Sequence, residues 1–225
     1  MVQGSKCSIS SDFVCGENSK WGDFVVIQKD VVVGSNVKIG SFVVIQSGTR
    51  IADNVTIEDF VVLKARTTIE SNCIIEDHSI VQSSAFIGAG TKLGTHSKAG
   101  RNVVIGQNCK FTAFCEIRDN CRLGNNVSMG SRGTLSAGTQ VEDDVIMKYA
   151  FVVTDTPVIG QESIKRTGVL KRGSKFGASV TIMPGVSVGV NSEIGACSQV
   201  RQDVPDNEVW YGNPAKFFKK SQPRS

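Results

Sequence analysis

The chain has 225 residues, 40% hydrophobic and 20% charged, enough to bury a sizeable core in one domain or two small ones. A net charge of +4 is too modest to imply a nucleic-acid partner, and no apolar run reaches membrane-spanning length. Seven cysteines, with no signal-peptide core in MVQGSKCSIS, point to free thiols in a reducing, cytoplasmic setting.

A strict period sets in after the first eight residues. Every sixth residue from Ile9 to Val153 is apolar, opening Ile9, Cys15, Trp21, Ile27 and closing Leu135, Val141, Met147, Val153. Small residues such as Val37, Val43, Thr67, Ser79 and Ala85 stand four places after their anchors, and Gly34, Gly40, Gly88 and Gly94 follow anchors directly. This is the six-residue repeat of a parallel β-helix, in which three strand-plus-corner units close one triangular coil. Strands stacking at about 4.8 Å give about ten coils and a prism roughly 50 Å long.

Laying the chain out coil by coil exposes the corners. One column reads Asn18, Asn36, Asn54, Asn72, Gly90, Asn108, Asn126, Asp144, residues that tolerate positive φ. A second reads Phe24, Phe42, Phe60, His78, His96, Phe114, Arg132, so both histidines share one aromatic column. The third is mixed, from Asp12 and Asp30 to Asn120 and Gly138.

The stretch CKFTAFCEIRDNC, residues 109–121, resembles a metal cluster at first sight. Its Cys109, Cys115 and Cys121, like Cys73, each stand four residues after an anchor, where small inward residues belong. They read as interior fillers, and no metal site is expected.

Beyond Val153 the register slips, and the next anchors are Leu170, Phe176, Ile182, Val188, Ile194 and Val200. Residues 154–169 are therefore expected to form an extruded loop, a place for function or a tolerated insertion. Residues 1–204 would form the β-helix, and 205–225 a C-terminal tail with scope for a short helix. Residues 164–225 hold ten Lys/Arg against four Asp/Glu, which suits a phosphorylated ligand or a solvated basic tail.

The segment FGASVTIMPGVSVGVNSEIGACSQVRQDVPDNEVWYGNPAK, residues 176–216, resembles the C-terminal coils of left-handed β-helix hexapeptide-repeat acyltransferases. That family ends in an Asp-Val-Pro turn and a Gly-Asn-Pro-Ala-Lys segment, here Asp203–Pro205 and Gly212–Lys216. VEDDVIMKYAFVVTDTP, residues 141–157, is similar to the approach to the active-site loop in nucleotide-sugar and galactoside-type acetyltransferases. The nucleotide-sugar N-acetyltransferases are the nearer match. The resemblance implies an all-β, left-handed parallel β-helix and a homotrimer with acetyl-CoA between adjacent prisms. It also implies direct transfer to the amine of a nucleotide-sugar, with no membrane partner. Lys171, Lys175, Arg201 and Lys216 would then meet the CoA phosphates, while Gly177, Ala178 and Ala196 would let the pantetheine approach the backbone.

The chemistry needs a base for the attacking amine and a donor for the oxyanion. Galactoside-type enzymes carry a catalytic His roughly where Thr156 stands, and this chain has none there. The resemblance to enzymes using Asn or Asp instead suggests Asn126 or Asp155, although Asn126 also continues the corner ladder. His96 is the third candidate, and is equally a rung of the aromatic column. Three alternatives remain: a sugar O-acetyltransferase, a non-catalytic scaffold subunit, and a γ-class carbonic anhydrase. The last needs three histidines, and the chain has two.

Overall fold

Two-residue strands, each followed by a tight corner, wind the chain into three flat faces. The computed structural model describes residues 2–161, 163 and 165–221. Its strands assemble into sheets of 13, 11 and 10 strands, in which successive strands of each face come from successive coils. Face A contains Lys38–Ile39 beside Thr56–Ile57, face B Val44–Ile45 beside Val62–Leu63, and face C Arg50–Ile51 beside Thr68–Ile69, all parallel. The result is an all-β parallel solenoid. No helix among the described residues is long and apolar enough to cross a membrane.

The period-six anchors explain the core. Ile45, Leu63, Val81, Ile87, Leu93 and Ile105 are all 0% exposed, as are the small partners Val37, Val43 and Val55. Burying each large aliphatic side chain stabilises the prism by about 1.5–3 kcal/mol. The cysteines belong to this interior: Cys73, Cys109, Cys115 and Cys121 are buried. They also hydrogen-bond, a role their size alone does not reveal. Cys73 Sγ donates to Gly88 O at 3.1 Å and Cys121 Sγ to Ser136 O at 3.2 Å, as Ser79 Oγ donates to Gly94 O at 2.9 Å. Burial pushes the Cys73, Cys115 and Cys121 thiols up to about 11. Cys7 keeps the same phase and donates to Gly22 O at 3.4 Å.

Corners sit in the left-handed region. In the Asn column Asn36, Asn54 and Asn126 have φ of 58°, 60° and 57°. Side-chain amides link neighbouring coils there, as from Asn36 Nδ2 to Asn54 Oδ1 at 3.3 Å. The aromatic column adopts the same backbone, with Phe42 and Phe60 at φ 58°, although bulky residues disfavour it. Ring stacking offsets that strain. Phe24, Phe42, Phe60, His78, His96 and Phe114 stack consecutively at 4.8, 4.9, 4.7, 4.6 and 5.0 Å, each such pair contributing about 0.5–1.5 kcal/mol.

Two interruptions mark the C-terminal end. Gln140 pairs with Val169, an offset of 29 residues, so the chain leaves the prism after Val153 at the corner between faces B and C. The C-terminal segment is β, not the short helix allowed for above. Glu208–Gly212 joins face A beside Glu193–Ile194, and Ala215–Lys220 folds back antiparallel on it. The reason is alternation. Trp210 turns inward at 6% exposure, where its Nε1 donates to Glu208 Oε2 at 2.8 Å. Lys220 Nζ reaches Glu208 Oε1 at 2.7 Å, and the exposed lysines blunt the last sheet edge.

Candidate active site

Face A ends in a groove of about 350 Å³ lined by Ile146, Lys148, Lys175, Phe176, Gly177 and Glu193. Pairing of Ile146 with Lys175 and Met147 with Phe176 sets Lys148 beside Gly177, and Lys175 in turn pairs with Glu193. Lys175 Nζ lies 3.8 Å from Glu193 Oε1. The floor at Gly177 is backbone. A Cβ there would stand 2.5 Å from Ala196 N, so a side chain is excluded and a ligand gains close access to the main chain.

Five of the sequence-derived cofactor residues gather at this end. Lys175 and Gly177 line the groove, Ala178 and Ala196 occupy the adjoining corner, where Cys197 N donates to Ala178 O at 2.8 Å, and Lys216 pairs with Tyr211 on the last strand pair. The other two lie elsewhere. Lys171 follows a face-C strand and approaches Asp206 at 4.0 Å, while Arg201 follows the last face-B strand and donates from Nε to Gln199 Oε1 at 2.5 Å. Sequence reasoning missed Lys148 and Glu193. Lys148 is 29 residues from its neighbour Gly177, a spacing hidden until the insertion is subtracted.

The three candidate catalytic residues stand on three different corners. His96 is on the A/B corner, exposed, stacked between His78 and Phe114. Its imidazole makes no hydrogen bond among the described residues, so its ring nitrogens are available. Asn126 is on the C/A corner, and its Nδ2 donates to Asp144 Oδ1 at 3.0 Å. Asp155 is on the B/C corner at 6% exposure, closing the neck of segment 154–168, whose described residues form no strand. Its Oδ1 accepts from Thr156 Oγ1 at 3.0 Å and from Lys165 Nζ at 3.3 Å, while its backbone O accepts from Arg166 N at 2.9 Å. One chain therefore does not bring the three together. Among the described residues no three His, Cys, Asp or Glu side chains converge as metal ligands.

The family model "Bacterial transferase hexapeptide (six repeats)" matches residues 14–47, and the same six-residue unit continues through the coils described above. The chain is 49% identical over 45 residues to a galactoside O-acetyltransferase of Lactococcus lactis, covering 20% of the chain and 22% of that protein. It is 43% identical over 65 residues to a protein of Lysinibacillus sphaericus named "Probable macrolide acetyltransferase", covering 29% and 36%. Among solved structures, the Arabidopsis UDP-N-acetylglucosamine acyltransferase superposes with a TM-score of 0.48 at 16% identity, covering 96% of this chain and 73% of that one. The curated alignments thus span about a third or less of the relatives' own length.

Proposed function

We propose that this protein is an acetyl-CoA-dependent N-acetyltransferase acting on the amine of a nucleotide-linked sugar. The observation that carries the reading is the face-A groove, where Lys148 and Lys175 flank a floor of bare backbone at Gly177. Cations of that kind suit the phosphates of CoA, and a side-chain-free floor suits its slender pantetheine arm. Lys216 lies on the outermost strand of the same face, Lys171 would reach the nucleotide end from the C/A corner, and Arg201, on the B/C corner with the loop, would reach it only from a neighbouring copy. The acetyltransferase names of the partial relatives support the same activity.

In this reading the amine nitrogen bonds to the thioester carbon, and the C–S bond breaks without an acyl-enzyme. The amine proton passes through a base to the departing thiolate. His96 is the base we favour, because its ring is held by stacking and its nitrogens are unengaged. Asp155 is engaged through Oδ1 by Thr156 and Lys165, and fits a positioning residue for the loop; Asn126 fits a corner rung.

Face A lies opposite the B/C corner in a triangular prism. The groove and the loop would therefore meet only across two copies of the chain, which supports a homotrimer with sites between subunits. Titration calorimetry with acetyl-CoA tests the cofactor, and turnover on paired amino and hydroxyl sugars tests the acceptor. The galactoside O-acetyltransferase relative favours a second reading, O-acetylation; activity confined to hydroxyl acceptors would replace the first reading with it.

A further inference from the structure

Midway along the prism, face B carries a hollow of about 470 Å³ that belongs neither to the face-A groove nor to the loop. Its origin lies in the column Gln82, Gly100, Arg118, which runs along the outer surface of face B. Gly100 N donates to Ile117 O in the next coil at 2.7 Å, and a Cβ at Gly100 would stand 2.5 Å from Asp119 N. A side chain there would require the adjoining coil to shift, and the glycine leaves the surface open between Gln82 and Arg118. Ala137 extends the opening by one coil, standing between Asp119 and Asp155 in its column. Pairing of Leu135 with Val153 puts Ala137 in register with Asp155, so the hollow ends directly beneath the loop neck.

The polar side chains around it are unevenly matched. Lys98 Nζ pairs with Glu116 Oε1 at 3.2 Å, and Arg101 Nε with Asp119 Oδ2 at 2.9 Å. Both carboxylates lining the hollow are thereby neutralised. Arg118 lines the same space and makes no ion pair or side-chain hydrogen bond among the described residues. It leaves one uncompensated guanidinium, whose planar fork matches two oxygens of a phosphate or carboxylate. The volume exceeds what a bare anion needs and lies in the range of small-molecule sites. The Gln82 amide, Glu116 and Asp119 supply partners for hydroxyl groups.

We propose that this hollow binds an anionic, hydroxyl-bearing small molecule through its phosphate or carboxylate, with Arg118 as the principal anchor. Identifying that molecule with the acceptor rests on the acetyltransferase reading above; the binding itself does not. An acceptor held there would extend toward the loop at Asp155, one coil beyond Ala137.

The test is titration calorimetry of the full chain with inorganic pyrophosphate and with glucuronate, separately, and with acetyl-CoA in parallel. At least one of the two anions binds, and Arg118→Ala weakens it roughly tenfold or more, as loss of a charged hydrogen-bonding partner requires. Arg118→Lys restores part of that affinity, and neither variant changes acetyl-CoA binding or thermal stability. Pyrophosphate binding alone marks a phosphate ligand, and glucuronate binding alone a carboxylate one. No binding of either anion, or equal binding by Arg118→Ala, overturns the proposal. Arg118-dependent anion binding without acetyl-CoA binding would uphold this site and remove the acetyltransferase reading.

Discussion

Between Ile9 and Val153 each coil repeats the last at an offset of eighteen residues, as when Glu116 pairs with Thr134. Beyond Val153 the offset becomes 29 at Gln140–Val169 and 16 at Glu193–Val209. The first region spends its sequence on filling the interior and stacking its corners, so its stability accumulates from neighbouring coils. The second departs from the repeat, and the departures gather the basic residues, the extruded segment and the groove. Regularity builds the scaffold and carries His96 and the face-B hollow, and interruption supplies the proposed cofactor groove.

Breaking the regular region should cost the most. Phe111 is 1% exposed among the anchors, and Phe111→Ala should destabilise by about 3–5 kcal/mol in urea unfolding. Phe217, 52% exposed on the last strand, should change stability by less than about 0.5 kcal/mol when replaced by Ala. Equal losses would mean that the inward anchors do not carry the prism's stability.

His96→Phe sharpens the comparison next, because Phe occupies the same column at Phe60 and Phe114 and keeps the stack. Turnover should fall by about 100-fold with thermal stability retained, as expected for loss of a general base. Full activity in that variant would make His96 a structural rung.

The buried thiols give a pH signature confined to the regular region. Burial raises the folded pKa of Cys73, Cys115 and Cys121 to about 11 from the ordinary thiol value of 9.0. Their contribution is therefore fully present below pH 9 and is lost as pH climbs toward 11. Melting temperature should drop over that window. Serine fills the same inward position at Ser79 and Ser97, so a Cys73, Cys115, Cys121→Ser triple variant should lose much of the drop. An undiminished drop in that variant would mean that other groups cause it. Last, Asn126→Ala removes one amide rung to Asp144 and puts Ala at φ 57°, which should cost about 1–2 kcal/mol with turnover unchanged.

Much of the prism was legible because a period of six repeated over many coils constrains every position. The anchors, the inward cysteines and the Asn corners could be read directly. The positive φ of Phe24, Phe42 and Phe60 could not, since it contradicts their own preference and depends on neighbours eighteen residues away. The C-terminal hairpin was missed because Trp210 continues the inward pattern only after the Asp203–Pro205 turn shortens the coil. The candidate groove was partly legible. Lys175, Gly177, Ala178 and Ala196 followed from motif resemblance, whereas Lys148 became visible only when the eleven extra residues were removed from the count. Arg118 carried no motif at all: its interest comes from the empty position at Gly100, one coil away.

The most direct test of the account is acetyl-CoA binding by the intact chain and by Lys175→Ala, followed by calorimetry. The account predicts saturable binding by the wild type, about tenfold weaker in Lys175→Ala, with both proteins melting at the same temperature. Absence of binding by the wild type, or identical affinity in the two proteins, would contradict the claim that the interrupted end of face A is the cofactor site.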